Sequence, residues 1–515
     1  MNRFSRMPFF VQLMLVAGAA MMVPAIYGAV VSQHEDSRAF FYSGILLMSF
    51  AGMIAIARAR PESTADRDTR RDRDREGRNQ LMTLLVAYTV LPFFLAVPFV
   101  EATKNTTFFN AYFEMVSALT TTGATLFDDP DRLSRTVHLW RALVGWLGGL
   151  FAWITAIAVL APLNLGGFEV LSSRQVGQGS SGATQFIQVA AGPERIARYT
   201  TRLFPIYFGL TVALWLALAM VGASPYVALC HAMSVMATSG ISPVGGLTSS
   251  GAGFLGEMLV FAFLFLAISR KTFATDDMRR DAPPLYRDPE MKIGLVLLVV
   301  LPSLLFLRHW VGAYEVERIW DIPAALSSLW GGLFMVLSFL TTAGFESASW
   351  SESRIWSGLQ TPGVLLLGLA IFGGGVATTA GGVKLLRLYA LVRHGEREIE
   401  KMISPHSVGG AGAMARRVRR QGGYVAWVYF MFFALTIAAV MIILSLFGIH
   451  FEQAAVFTIA ALTTTGPLVQ VAAEVPYSFA DLAVGPKAVL AATMVLGRLE
   501  LLAMIALINP DFWRR

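Results

Sequence analysis

With 515 residues, 55% of them hydrophobic and 15% charged, the chain falls well short of the roughly 25% charged usage of a soluble globular domain, so a bilayer is its solvent. A single cysteine, Cys230, excludes an internal disulfide, and seven histidines leave little material for a soft-metal centre. The net charge of +7 fits basic loops held on one membrane face better than nucleic-acid binding.

Apolar stretches long enough, or nearly so, to cross about 30 Å of hydrocarbon run over 10–31, 40–58, 81–100, 139–162, 203–221, 254–269, 292–310, 361–391, 423–448 and 486–508. The first reads as a retained transmembrane helix, because no small-residue cleavage site follows it. Segment 61–78, PESTADRDTRRDRDREGR, reads as a solvated linker. GQGSSG at 177–182 matches GxGxxG, but no strand precedes it, and a flexible cytoplasmic loop is expected there. Most of the basic residues lie near the N-terminus and in 58–80, 174–202, 270–292, 384–420 and Arg514–Arg515. A ten-span arrangement puts all of these on one side, which is then the cytoplasm together with both termini. The opposite loops carry acids, among them Asp128, Asp129, Asp131, Glu315, Glu346 and Glu474.

Four shorter apolar segments, near 108–119, 226–237, 328–340 and 452–462, cannot cross, and each runs into a Thr/Ser-Gly cluster. Aligned on their glycines they read SALTTTGAT at 117–125, SVMATSGIS at 234–242, LSFLTTAGFES at 337–347 and AALTTTGPL at 460–468. The unit is helix, short pore helix, glycine-centred loop, helix, four times over. Irregular backbone at membrane depth is tolerated where it lines a watery path. Extended Thr-x-Gly-x segments offer carbonyl rings to a dehydrating monovalent cation, and the pore helices aim their negative ends at it. The expected filter residues are Thr121, Thr122, Gly123 and Ala124; Thr238, Ser239, Gly240 and Ile241; Thr342, Ala343, Gly344 and Phe345; and Thr464, Thr465, Gly466 and Pro467.

These four loops, with TTTGAT at 120–125, FGGGVATTAGGVKLLRL at 372–388, VGWLGGL at 144–150 and LGRLELL at 496–502, closely resemble the Trk/Ktr/HKT superfamily of potassium transporters, and within it the TrkH type. The resemblance covers about residues 81–508, and the two extra N-terminal helices fit that type. It implies K⁺ as transported ion with no bound cofactor, a homodimer in membrane lipid, no nucleic acid, and regulation by a cytoplasmic TrkA-like nucleotide-binding ring. It also implies residence in the bacterial inner membrane. Two departures stand out. Ser239 occupies a position more often glycine, and TTTGP at 463–467 replaces a more usual asparagine-containing version. A serine at the first filter glycine goes with Na⁺ transport in plant relatives, so Gly123 favours K⁺, with a Na⁺-permeable or poorly selective transporter as the alternative.

The segment 373–383, GGGVATTAGGV, cannot continue a helix, since its five glycines each cost about 1 kcal/mol relative to alanine. Close helix packing through small residues is one reading. The resemblance implies another, an intramembrane loop that obstructs the pore below the filter. Gly373, Gly374, Gly375, Thr378, Thr379, Gly381, Gly382, Lys384 and Arg498 are the candidate gate residues. Lys384 and Arg387 lie toward one end of their span and are expected to snorkel, while Arg141 is expected to anchor or pair. Arg498 sits mid-span, and Glu500 two residues on faces another way on a helix.

The fold class is thus an all-α integral membrane protein of fourfold pseudo-symmetric helix–pore-loop–helix repeats with two extra N-terminal helices. The expected division is 1–60 (two helices), 61–80 (linker), 81–165 (repeat one), 166–202 (loop), 203–275 (repeat two), 276–398 (repeat three with the glycine-rich loop), 399–420 (loop) and 421–515 (repeat four). An intramembrane enzyme would need HExxH, GxSxG or a paired aspartate at depth, and none is present; His231 alone reads as a packed histidine.

Overall fold

A computed structural model describes residues 8–57, 70–170, 192–269, 285–312, 322–358, 363–403, 420–473 and 475–508, which form helices and turns and no strand. The 177–182 loop, residues 61–69 of the expected linker, Glu315 and Glu474 lie outside the described residues; residues 70–78, also expected as linker, instead begin the helix Arg70–Thr103. Helices α1 (Phe9–Val30) and α2 (His34–Ala57) form an antiparallel hairpin. Repeat one is α3 (Arg70–Thr103), the pore helix α4 (Phe108–Leu119) and α5 (Arg135–Thr155), which runs on through one π turn. Repeat two is α6 (Gly192–Met220), the pore helix α7 (Pro225–Ala237) and α8 (Gly253–Leu264). Repeat three is α9 (Pro289–Gly312), the pore helix α10 (Ile322–Leu340), a short α11 (Trp350–Ser357) and the broken pair α12 (Gly363–Phe372) and α13 (Leu385–Ile403). Repeat four is α14 (Arg420–Leu446), the pore helix α15 (Phe451–Leu462), one turn α16 (Leu468–Val471) and the broken pair α17 (Val484–Leu499) and α18 (Leu501–Ile508).

Eight helices among the described residues are long and apolar enough to span a membrane. Seven coincide with expected spans; the eighth is α10, where 328–340 was read as a short pore segment and the helix instead starts at Ile322. Its last turns are buried like those of the other pore helices, and it too stops at a threonine pair. The expected spans 254–269, 361–391 and 486–508 are not single long helices. The second breaks at its glycines, and the third at Glu500, whose φ of 66° no helix accepts.

The N-terminal hairpin is fastened to repeat one by Gln33, which accepts from the Thr136 hydroxyl at 2.6 Å, and by Phe40 packed edge-on against the buried Trp140. Glycines of the inner helices let the pore helices approach. A β-carbon at Gly148 would overlap the Leu119 carbonyl at the end of α4, and one at Gly497 would overlap that of Leu462 at the end of α15. These are glycines of the VGWLGGL and LGRLELL stretches, so each motif serves the seating of a pore helix.

Candidate ion pathway

Each pore helix ends in the same way. Thr121, Thr238, Thr342 and Thr464 take left-handed backbone, with φ of 56°, 49°, 57° and 54°. The next residue donates its N–H five residues back: Thr122 to Ser117 (2.8 Å), Ser239 to Ser234 (3.0 Å), Ala343 to Ser338 (2.9 Å) and Thr465 to Ala460 (2.8 Å). This is the helix-ending motif that glycine normally serves. A β-branched threonine there costs on the order of 1–3 kcal/mol and persists only where surrounding structure enforces it. Four recurrences at one motif position make the strain a property of the site. Threonine keeps what glycine lacks, a hydroxyl beside the turning carbonyl.

The carbonyls of Thr121, Thr238, Thr342 and Thr464 accept no hydrogen bond among the described residues, although all four residues are buried. The Thr121 and Thr464 hydroxyls are also buried without a partner. Buried backbone carbonyls are nearly always paired, so four unpaired ones on equivalent turns are chemically suited to a positive charge.

Beyond the threonines the four loops close into a ring. A β-carbon at Gly123 would overlap the Ser239 carbonyl oxygen, one at Gly240 the Ala343 carbonyl oxygen, and one at Gly466 the backbone of Ala124; one at Gly344 would lie 3.1 Å from the Pro467 ring. Each corner therefore abuts the next, and the glycines are what permit this closeness. Gly123, Gly240 and Gly344 have φ of 71°, 66° and 73°, and the chain runs on outside any helix through Ala124, Ile241 and Phe345. Gly466 does not take positive φ, and after Pro467 the chain turns straight into α16.

The glycine-broken segment between α12 and α13 lies against the inner ends of these loops. Gly381 N–H donates to the Thr342 hydroxyl (2.7 Å), the Thr238 hydroxyl donates to that of Thr379 (3.2 Å), and a β-carbon at Gly381 would overlap the Thr463 carbonyl and the Thr464 hydroxyl. Three of four corners are thus touched from one side. Gly373 and Gly382 have φ of 70° and 76° and pack backbone on backbone, while Gly374 and Gly375 face Ala267 and Ile268 of repeat two too closely for any side chain. The segment satisfies much of its own backbone, Val383 N–H donating to Ile371 (2.8 Å) and Gly375 N–H to Ala267 (3.1 Å). The Thr378 hydroxyl donates to Gly375 (2.7 Å), and the Glu290 carboxylate accepts from Val376 N–H (2.9 Å).

Arg498, in the last turn of α17, donates Nη1–H to the Thr379 carbonyl at 2.7 Å and so fastens the segment. Lys384 and Arg387 do not snorkel, contrary to expectation. Lys384 is buried and its ammonium donates to the Ala380 carbonyl. Arg387 is wholly buried, paired with Glu500 at 2.7 Å and stacked 3.7 Å over the Tyr429 ring. The break at Glu500 turns its carboxylate toward an arginine 113 residues earlier in the chain, which supplies the compensation a buried charge requires. Arg141 pairs as expected, with buried Glu114 at 3.0 Å. His231 is packed, its Nε2 hydrogen-bonded to the Ser242 hydroxyl at 2.8 Å.

Besides Glu290, two carboxylates near the outer loops were not foreseen from the sequence. Glu114 accepts from the Leu126 N–H (2.5 Å) and the Thr125 hydroxyl (3.0 Å), and Glu257 from the Ala348 N–H (2.7 Å), the Ser347 hydroxyl (2.8 Å) and the Trp330 indole (3.0 Å). Each holds the segment that leaves a filter loop. A lone acid within an apolar helix was the available signal.

An all-helical membrane protein whose four re-entrant helices converge on a ring of unpaired carbonyls belongs to the class of multi-pass ion transport proteins. The model of the TrkH family, described as a cation transport protein, matches residues 48–249 and 290–513, and the chain belongs to that family. Among its relatives is the Trk system potassium uptake protein TrkH of Salmonella typhimurium, 30% identical over 448 residues, 85% of this chain and 86% of the relative. The protein of the same name from Escherichia coli K12 is 27% identical over 511 residues, 98% and 97% of the two chains. The crystal structure of the potassium transporter TrkH from Vibrio parahaemolyticus has the same fold, with a TM-score of 0.80, 24% identity and full coverage of both chains.

Proposed function

We propose that this chain takes up K⁺ across the bacterial inner membrane, with the ring of threonine and glycine corners as its selectivity filter. The observation that carries the reading is the fourfold left-handed threonine with its unpaired, buried carbonyl. Such oxygens replace the hydration shell of a cation at no cost in broken hydrogen bonds. K⁺ is cargo, and the chain needs no resident cofactor. The names of the relatives, potassium uptake proteins, support the choice of ion.

The segment 373–384 acts in this reading as a gate under the filter, with Arg498 adding a repulsive charge and a tether. Regulation falls to a cytoplasmic nucleotide-binding ring of the TrkA kind, docking on the basic stretches 270–292 and 393–420 of a homodimer. Of these, 270–284 and 404–419 lie outside the described residues. The test is flux from proteoliposomes holding the purified chain, with K⁺, Rb⁺ and Na⁺ compared. K⁺ and Rb⁺ fluxes well above Na⁺ are expected; equal fluxes would make it a poorly selective cation transporter, and no flux of any ion with the partner present would refute the reading.

A further inference from the structure

The filter is fourfold on its inner side, and on its outer side corner four drops out. At the left-handed threonines all four corners agree in dihedral, in the hydrogen bond that follows and in an unpaired carbonyl. One and two residues further on, the carbonyls of Ser239, Gly240, Ala343 and Gly344, and that of Gly123, likewise accept nothing among the described residues. Corner four differs at both positions. The Thr465 carbonyl accepts from Leu468 N–H (3.1 Å) and the Gly466 carbonyl from Val469 N–H (3.3 Å), so both are spent on the turn into α16. Gly466 N–H in turn donates to the Thr122 carbonyl at 2.6 Å and occupies an oxygen of corner one.

Pro467 explains the difference. Its backbone, φ −61° and ψ −12°, starts a helical turn, and a proline disfavours the α region for the residue before it, in keeping with Gly466 alone of the four corner glycines lacking positive φ. The proline ring lies where β-carbons of Gly344 and Gly240 would meet it, at 3.1 and 2.7 Å. Corner three is the neighbour of corner four, but corner two is its opposite. A group touching both reaches across the ring.

Building on the K⁺ reading above, we infer that Pro467 is the residue that sets ion specificity at the outer half of the filter, by replacing one corner's carbonyl ligands with an apolar ring. A cation there finds unpaired oxygens from three corners at the glycines, and from two corners one residue earlier, where Thr122 is taken as well. K⁺ is selected by the number and field of the oxygens that replace its water, and the smaller Na⁺ is satisfied by fewer, so the loss of one corner narrows the preference for K⁺.

The experiment compares the full-length parent with Pro467→Gly and Pro467→Asn in proteoliposomes, reading K⁺ and Na⁺ flux in the same vesicles. Both substitutions remove the ring and its restriction on Gly466, and so allow the fourth corner to follow the path of the other three. The expected result is a rise of about tenfold in preference for K⁺ over Na⁺, roughly 1.4 kcal/mol, together with a larger shift of melting temperature in K⁺ than in Na⁺ relative to the parent. An unchanged preference in monodisperse variants of a parent that conducts K⁺ overturns the inference and leaves the K⁺ reading standing. A parent that conducts no cation overturns the K⁺ reading itself. Failure of both variants to give monodisperse protein assigns Pro467 to folding and likewise overturns the inference.

Discussion

Two stretches of irregular backbone meet in the membrane interior of this protein, and they are built on opposite plans. The corners at the pore-helix ends repeat four times, hold threonines in strained left-handed turns, and leave buried carbonyls unpaired. The segment 373–384 occurs once, relies on glycines that bring backbone onto backbone, and directs its polar groups to its own ends, to Glu290 and to the corners above it. In the reading proposed above, the unpaired oxygens receive an ion and the largely self-satisfied loop obstructs its path. Both need glycine, for different reasons: at Gly123 so that adjacent corners can touch, at Gly381 so that the segment can lie flush against the inner threonines.

Substitutions that strike one region and spare the other break this comparison or sharpen it. The largest effect is expected at Gly123→Ser. Its β-carbon would overlap the Ser239 carbonyl at a φ of 71°, so the corner cannot keep its place in the ring, and discrimination between K⁺ and Na⁺ should be lost in flux assays. Glu500→Gln comes next. It leaves the wholly buried Arg387 without its countercharge and is expected to cost roughly 3–5 kcal/mol, seen as a lower unfolding temperature in detergent. Arg498→Ala removes a charge and the tether to Thr379 while leaving the filter alone. Repulsion of roughly 3 kcal/mol for unit charges about 6 Å apart at an effective dielectric near 20 corresponds to about a hundredfold in rate, so basal K⁺ flux without the regulatory partner should rise by up to that factor. The smallest effect is expected at Thr464→Gly, which relieves a left-handed threonine and should stabilise the chain by about 1 kcal/mol in thermal unfolding.

The repeated loops were legible in the sequence because repetition turns a weak Thr-Gly signal into a strong one, and the break at 373–383 was legible because glycines accumulate there. What stayed hidden depends on partners far along the chain. Lys384 and Arg387 look able to snorkel when read within their own helix; the ion pair with Glu500 exists only once two broken helices, α13 and the α17–α18 pair, are packed together. The break at Glu500 itself left no trace in composition, since a glutamate with positive φ is a consequence of that pair and of no local propensity. Thr121, Thr238, Thr342 and Thr464 stand among the expected filter residues, but the alignment was made on the glycines, whereas the dihedral common to all four corners falls on these threonines and Gly466 departs from its counterparts. TTTGP was noted as an unusual corner, but that its carbonyls are spent on α16 follows from the helix and not from the motif.

The central claim is that selection and gating reside in separate regions, and the most direct test reads K⁺ and Na⁺ flux together for the parent, Gly123→Ser and Arg498→Ala in vesicles of one composition. A crossed pattern is expected: Gly123→Ser changes the K⁺ to Na⁺ ratio, and Arg498→Ala raises both fluxes while holding the ratio at the parent's value. An Arg498→Ala protein that is stable and monodisperse yet shifts the ratio as Gly123→Ser does, or shows no rise in flux, would contradict it.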